Sequence, residues 1–169
     1  MATTYEAIQT TTLGSAAPSI TFSSIAADWT DLRLVLPNVL DDYGSDTVCI
    51  RFNSDTATNY SITRLGGQGS IAISGRTTSA TEITLGGLVS TSTTIPTFYT
   101  ADVFSYAGST YKTMLGTSSG DKNGSGHVDN TVGLWRSTSA ITSITALILS
   151  GNQFAIGTTA TLYGIKAAI

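Results

Sequence analysis

Apolar and hydroxyl-bearing residues alternate along most of this chain. The pattern is plain in Ser19-Ile20-Thr21-Phe22-Ser23, Asp31-Leu32-Arg33-Leu34-Val35-Leu36, Thr47-Val48-Cys49-Ile50-Arg51-Phe52 and Thr161-Leu162-Tyr163-Gly164-Ile165. A period of two gives a strand one buried and one wet face. Thr suits the wet face, because its β-branch packs on a pleated surface while its hydroxyl stays hydrated. The pattern predicts strands over Thr4–Thr12, Ser19–Ser24, Trp29–Leu36, Thr47–Asn53, Asn59–Leu65, Ser70–Ser74, Glu82–Leu85, Thr97–Tyr106, Tyr111–Ser118, His127–Trp135, Ile141–Leu149 and Ala160–Ala167. Turn clusters separate them, among them Asn53-Ser54-Asp55, Gly66-Gly67-Gln68-Gly69, Gly86-Gly87 and Gly120 to Gly126.

No stretch carries a sustained 3.6-residue period, and Ser24 to Trp29 has room for one helical turn at most. No linker divides the chain, and Pro18, Pro37 and Pro96 fall at expected strand ends. Short strands at this spacing predict an all-β fold, a single antiparallel β-sandwich of jelly-roll type over residues 1–169. Leu32, Leu34, Leu36, Val48, Ile50, Phe52, Leu134, Ile144, Leu147, Leu149, Leu162 and Ile165 are its expected core. Thr3 to Thr12 is polar, with Tyr5, Ala7 and Ile8 as its apolar anchors. Residues 1–12 are therefore expected to form an edge strand or a docking arm that adds to a neighbour's sheet. Ser15-Ala16-x-x-Ser19-Ile20-Thr21 is echoed by Ser139-Ala140-x-x-Ser143-Ile144-Thr145, as two strands of similar role would be.

Composition sharpens this picture. Ser and Thr make up about three residues in ten, and charged residues only 11%, against about a quarter in an average domain. Such a surface suits a protein covered by others in an assembly. The net charge is −3, and Arg33, Arg51, Arg64, Arg76, Arg136, Lys112, Lys122 and Lys166 are scattered, which argues against nucleic-acid binding. The start, Met1-Ala2-Thr3-Thr4-Tyr5, lacks the pattern of a secretion signal, and no apolar run approaches the ~20 residues that span a bilayer. A membrane partner is not expected.

Candidate chemistry is sparse. Cys49 precludes an intrachain disulfide by being alone, and its phase with Thr47 and Arg51 sets it opposite Val48, Ile50 and Phe52 as a small filler. His127, the single histidine, follows a glycine-rich loop, and no G-x-S-x-G elbow accompanies it. Zinc is excluded by ligand count. Asp41-Asp42-Tyr43-Gly44-Ser45-Asp46 lacks the spacing of a calcium loop and reads as a solvated turn. Asn53-Ser54-Asp55 with Asn59 reads as a turn bonded to its local backbone. Glu6 and Glu82, the only glutamates, lie on unrelated strands, and Gly66-Gly67-Gln68-Gly69-Ser70 is no P-loop. No cofactor or metal is expected. Trp29, Tyr43, Tyr60, Tyr99, Tyr106, Tyr111 and Trp135 read first as core or interface anchors, and second as a sugar platform.

Beyond these readings, Thr11 to Ile25 with Thr30-Asp31-Leu32-Arg33-Leu34-Val35 resembles the opening of a family of tailed-bacteriophage structural proteins. The likeness continues through Phe52-Asn53-Ser54-Asp55, Asn59-Tyr60-Ser61 and Gly69-Ser70. It ends with Val132-Gly133-Leu134-Trp135-Arg136-Ser137-Thr138-Ser139-Ala140-Ile141-Thr142-Ser143-Ile144 and Thr161-Leu162-Tyr163-Gly164-Ile165-Lys166. The resemblance implies a non-enzymatic β-sandwich building block of a virion, either a capsid decoration (cement) protein or a tail-fibre module touching the host. With no shaft repeat and no heptads, a separate unit studding the head leads over a fibre tip. The expected partners are further copies of this chain, three by the family analogy, and the major capsid protein or other virion proteins. A host glycan is the partner in the alternative, receptor-binding reading. Tyr5, Ile8, Trp29, Trp135 and Arg136 are the candidate interface residues.

Overall fold

The alternation is realised as strands throughout the computed structural model, which describes residues 4–39, 45–86, 89–90, 95–121, 123–124, 126–148 and 151–166. The strands are β1 Tyr5–Thr12, β2 Ser19–Phe22, β3 Asp31–Val39, β4 Ser45–Asp46, β5 Val48–Phe52, β6 Tyr60–Gln68 and β7 Ile71–Ala80. There follow β8 Ile83–Thr84, β9 Val89–Ser90, β10 Thr97–Phe104, β11 Lys112–Gly120, β12 His127–Trp135, β13 Ile144–Ile148 and β14 Thr159–Ile165. All pairings are antiparallel: a large sheet in the order β1-β14-β3-β10-β11-β12-β6-β7, a small one in the order β2-β13-β5-β8, and the pair β4-β9.

Setting aside the hairpins β6–β7 and β11–β12 and the pair β4–β9 leaves two four-stranded sheets, β1-β14-β3-β10 and β2-β13-β5-β8. The chain visits them in the order large, small, large, small, small, large, small, large. That route is a jelly roll. The two hairpins then widen the large sheet beyond β10 from four strands to eight. The sequence echo falls on β2 and β13, which are neighbours: Thr21 stands opposite Thr145 with their hydroxyls 3.0 Å apart. β1 pairs with β14 of its own chain from Tyr5↔Ile165 to Thr12↔Thr159. Its described residues are thus an edge strand.

The core lies between the sheets. Leu32, Leu34, Leu36, Val48, Ile50, Phe52, Ile144, Leu147 and Leu162 are buried as expected, with Phe22, Ile83, Met114 and Phe154 beside them. Leu149 lies outside the described residues. Leu134 and Ile165 are only half-buried and stand in the outward phase. The inward phase of β12 is Asp129, Thr131, Gly133 and Trp135, and that of β14 is Ala160, Leu162 and Gly164. Glycine holds an inward place in each because a side chain from elsewhere fills the space. A Cβ on Gly133 would fall 2.6 Å from Ile83 Cδ1, and one on Gly164 2.3 Å from the Trp29 indole.

Two further expectations are corrected, and the place of Cys49 is filled in. Gly66, Gly67 and Gln68 continue β6, and the turn is confined to Gly69-Ser70; the place of a Gly66 Cβ is taken by the Asp129 carboxylate, 1.7 Å away. Pro37 lies inside β3, next to the register shift between Thr97 and Tyr99 on β10. A residue without an N–H is accommodated at such an irregularity. Cys49 stands in the outward phase yet is fully buried, as are Val48, Ile50 and Phe52, so both faces of β5 are covered. Its Sγ lies 3.6 Å from Thr84 Oγ1, and burial pushes its pKa up to about 12.

Filling an inward glycine position separates packing from strand propensity. Gly133→Ala should cost about 1–3 kcal/mol by overpacking against Ile83, measured by chemical denaturation. Gly75→Ala, where nothing lies within 4 Å of the added Cβ, should not destabilise the fold.

Candidate docking surface

The candidate interface residues take very different places. Trp135 is 2% exposed, stacked on Tyr60 at 6.3 Å and packed against Phe52 at 5.7 Å. It is a core residue and presents no surface to a partner. Its indole N–H donates to Asp55 Oδ2 at 2.7 Å; Asp55 also accepts from the Asn59 side chain and the Ala57 N–H. Arg136 is exposed, but its backbone N–H and guanidinium bond Asn59 and Thr58 carbonyls. The Trp-Arg pair thus clasps the corner between β5 and β6. Asn53 belongs to the same corner at φ 50°. Its side chain reaches Ala140, Thr142 and Ser143 rather than its local backbone. Trp29 is half-buried over Gly164, and Ile8 packs against the core from the β1 bulge. Of the five, Tyr5 is 43% exposed on an open sheet face, its ring 5.0 Å from that of Tyr163.

The groups with chemical potential are dispersed, and most are paired or buried. His127 opens β12 on the same face as Asp129, and Ser118 lies opposite Asp129. Sequence reading placed this histidine after a loop and missed that grouping, which depends on the β11–β12 register. Asp129 Oδ1 accepts from Arg64 Nε at 2.8 Å and Nη2 at 2.7 Å. Ser118 is fully buried under Gly86, whose added Cβ would fall 2.1 Å from Ser118 Oγ. No substrate reaches that hydroxyl. Glu82 is paired with Arg51 at 2.8 Å beside the small sheet, while Glu6 lies on β1 at the far edge of the large one. Asp46 accepts from Thr47 N–H and Asn152 Nδ2; residues 41–44 of that acidic segment lie outside the described residues. Among the described residues no group of three or more His, Cys, Asp or Glu is placed to hold a metal ion. A cleft of about 240 Å³ is lined by Ile62, Arg64, Gly75, Arg76, Thr77, Thr84 and Gly86. It offers neither a carboxylate, a thiol nor an imidazole.

The outer face of the large sheet has a different character. The register sets Ala7, Tyr163, Arg33, Asp102, Leu115, Val132, Thr63 and Arg76 in one row across all eight strands. The next row is Thr10, Thr161, Val35, Thr100, Thr117, Asn130, Leu65 and Ser74. Phe98 and Val128 flank these rows at one end, and Phe104 and Leu134 at the other. Leu65 is 64% exposed, Val128 56%, Val132 48% and Leu115 41%. The charges near the centre are Arg33 and Asp102, 3.6 Å apart. Burial raises the Asp102 pKa against the lowering effect of Arg33, and Asp31 adds to the rise. At ~4.8 Å per strand and ~3.3 Å per residue, eight strands seven residues long cover about 900 Å². A standard interface takes about 800 Å² from each partner.

Neither protein-family models, curated proteins nor solved structures give a match to this chain.

The Asp55 clasp has a pH signature. Burial works to raise the Asp55 pKa, but the hydrogen bonds from Asn59, Trp135 and Ala57 outweigh it and hold the carboxyl below its ordinary value. A folded pKa below the unfolded ~3.9 stabilises fully above that pH, and the gain is lost as pH falls through the folded value. Asp55→Ala should cost about 1–2 kcal/mol at neutral pH. In denaturant titrations across pH, this gap from the unsubstituted protein should narrow as the pH falls below the ordinary carboxylate range.

Proposed function

We propose that this protein is a non-enzymatic structural unit of a bacteriophage virion, a decoration or cement protein seated on the head. The observation that carries the reading is the outer face of the large sheet. It is interface-sized, rich in exposed Leu, Val and Thr, and electrically near neutral, with no helix or second sheet over it among the described residues. A monomer's largest apolar patch is about 300–600 Å² and is itself often functional. The likeness of the Gly133-Leu134-Trp135-Arg136 stretch and of Leu162-Tyr163-Gly164-Ile165 to phage structural proteins points the same way. The partners under this reading are the major capsid protein and further copies of this chain. A glycan-binding tail module is the weaker reading, since Trp135 is enclosed and the Trp29 indole is laid over Gly164.

Antibody-gold labelling of purified particles of the encoding phage should decorate heads. Label on tails would replace the head reading with the tail one, and particles free of label would overturn the virion assignment. The double variant Leu65→Lys, Val132→Lys changes exposed positions, so its stability should shift by only about 0.5 kcal/mol per site. Its occupancy on particles should fall at least about tenfold, which corresponds to ~1.4 kcal/mol.

A further inference from the structure

The large and small sheets have four edges. Those of the small sheet are short, with four residues in β2 and two in β8. β1 carries Glu6 and is broken by a register shift between Ala7 and Gln9. Brevity, charge and bulges are the usual means of blunting an edge. β7 is neither short nor bulged over its first seven residues. It runs from Ile71 to Thr77 in unbroken register with β6, without proline, lysine or acid, and it is exposed almost throughout, Ile71 at 62%. Its one charge is Arg76.

We propose that β7 pairs with β7 of a second copy, antiparallel across a two-fold axis at Ser74. The donors and acceptors are set by the hairpin. The turn Gly69-Ser70, with Gly69 at φ 59°, closes on Gln68 and Ile71. A two-residue turn of this kind makes that closing pair hydrogen-bonded. Alternation then directs Ile71, Ile73, Gly75 and Thr77 to β6, and the N–H and C=O of Ala72, Ser74 and Arg76 to the open edge. With Ser74 on the axis, Ala72 meets Arg76 of the second copy, and each of the three pairs exchanges two hydrogen bonds. On the inner face Ile73 meets Gly75 of the second copy, where nothing lies within 4 Å of a Cβ position. The two Arg76 residues are offset by four positions, about 13 Å, beyond the Debye length of about 8 Å at physiological ionic strength. A second copy is the occupant because the pairing uses the same open edge on both sides. Pairing β7 to any other edge of this chain would set it against a bulge or a strand of four residues or fewer. Such an isologous contact closes at two chains. The inference is independent of location on a virion.

Light scattering of the full chain at micromolar concentration should give twice the 17.5 kDa monomer mass. Ser74→Pro removes an edge-facing N–H and no intrachain bond, and proline is tolerated at such positions. It should give the monomer mass with the melting temperature moved by no more than a few degrees. Ser74→Cys should form a covalent dimer under mild oxidation, while Thr10→Cys on β1 should not. Cys49 is fully buried and does not compete. A monomeric unsubstituted protein overturns the pairing. So does an assembly of any mass that Ser74→Pro leaves unchanged, or cross-linking no faster through Cys at 74 than at 10. Should Ser74→Pro unfold the chain, the cross-linking comparison still decides.

Discussion

A four-stranded sheet cannot cover an eight-stranded one. At ~4.8 Å per strand the large sheet is about 38 Å wide and the small one about 19 Å. The inward positions of β14, β3, β10, β11 and β12 are buried, and the rest of the inner face must be handled otherwise. Near the margin, where β8 lies against β6 and β12, the inward positions turn polar. Arg64 and Asp129 neutralise each other there, and Gly66 leaves room for the carboxylate. Past the margin lies β7, exposed on both faces. Among the described residues no layer covers the outer face, and the β7 edge lies open because of this mismatch.

The hydroxyl coat gives the bare face its use. Thr10 pairs with Thr161 at 3.0 Å, Thr12 with Thr159 at 2.9 Å, and Thr117 with Asn130 at 3.1 Å. These side chains already hold one another, so covering them leaves few polar groups stranded. Lysines and glutamates at the same positions would each need a partner or a heavy desolvation penalty. The low charge, 11% of residues, makes this surface easier to bury.

The period of two made strand positions and the jelly-roll class legible from residues alone, and the echo between Ser19-Ile20-Thr21 and Ser143-Ile144-Thr145 marked two strands that prove adjacent. What stayed hidden depends on long-range partners. Glycine at 133 and 164 reads as a break in a hydrophobic phase until Ile83 and Trp29 are seen filling the gap, and so Leu134 and Ile165 were assigned the wrong side. Alternation describes one covered face, so it did not show that β5 is covered on both, with Cys49 as buried as Val48 and Ile50. Trp135 reads as a core or an interface anchor, because residue type alone does not say which. Its real partner, Asp55, lies 80 residues earlier. Most of all, alternation says nothing of sheet order, so it left unstated that two inserted hairpins widen one sheet and expose the candidate surface.

Hydroxyl-radical footprinting of the chain, free and on purified virions, tests the central claim that the wide sheet's outer face is the docking surface. Leu65, Phe98, Leu115 and Val132 should be labelled in the free chain and protected on the particle. Ile156, 64% exposed in the turn before β14, should be labelled in both. Unchanged labelling of the sheet residues alongside protection of Ile156 would contradict the account.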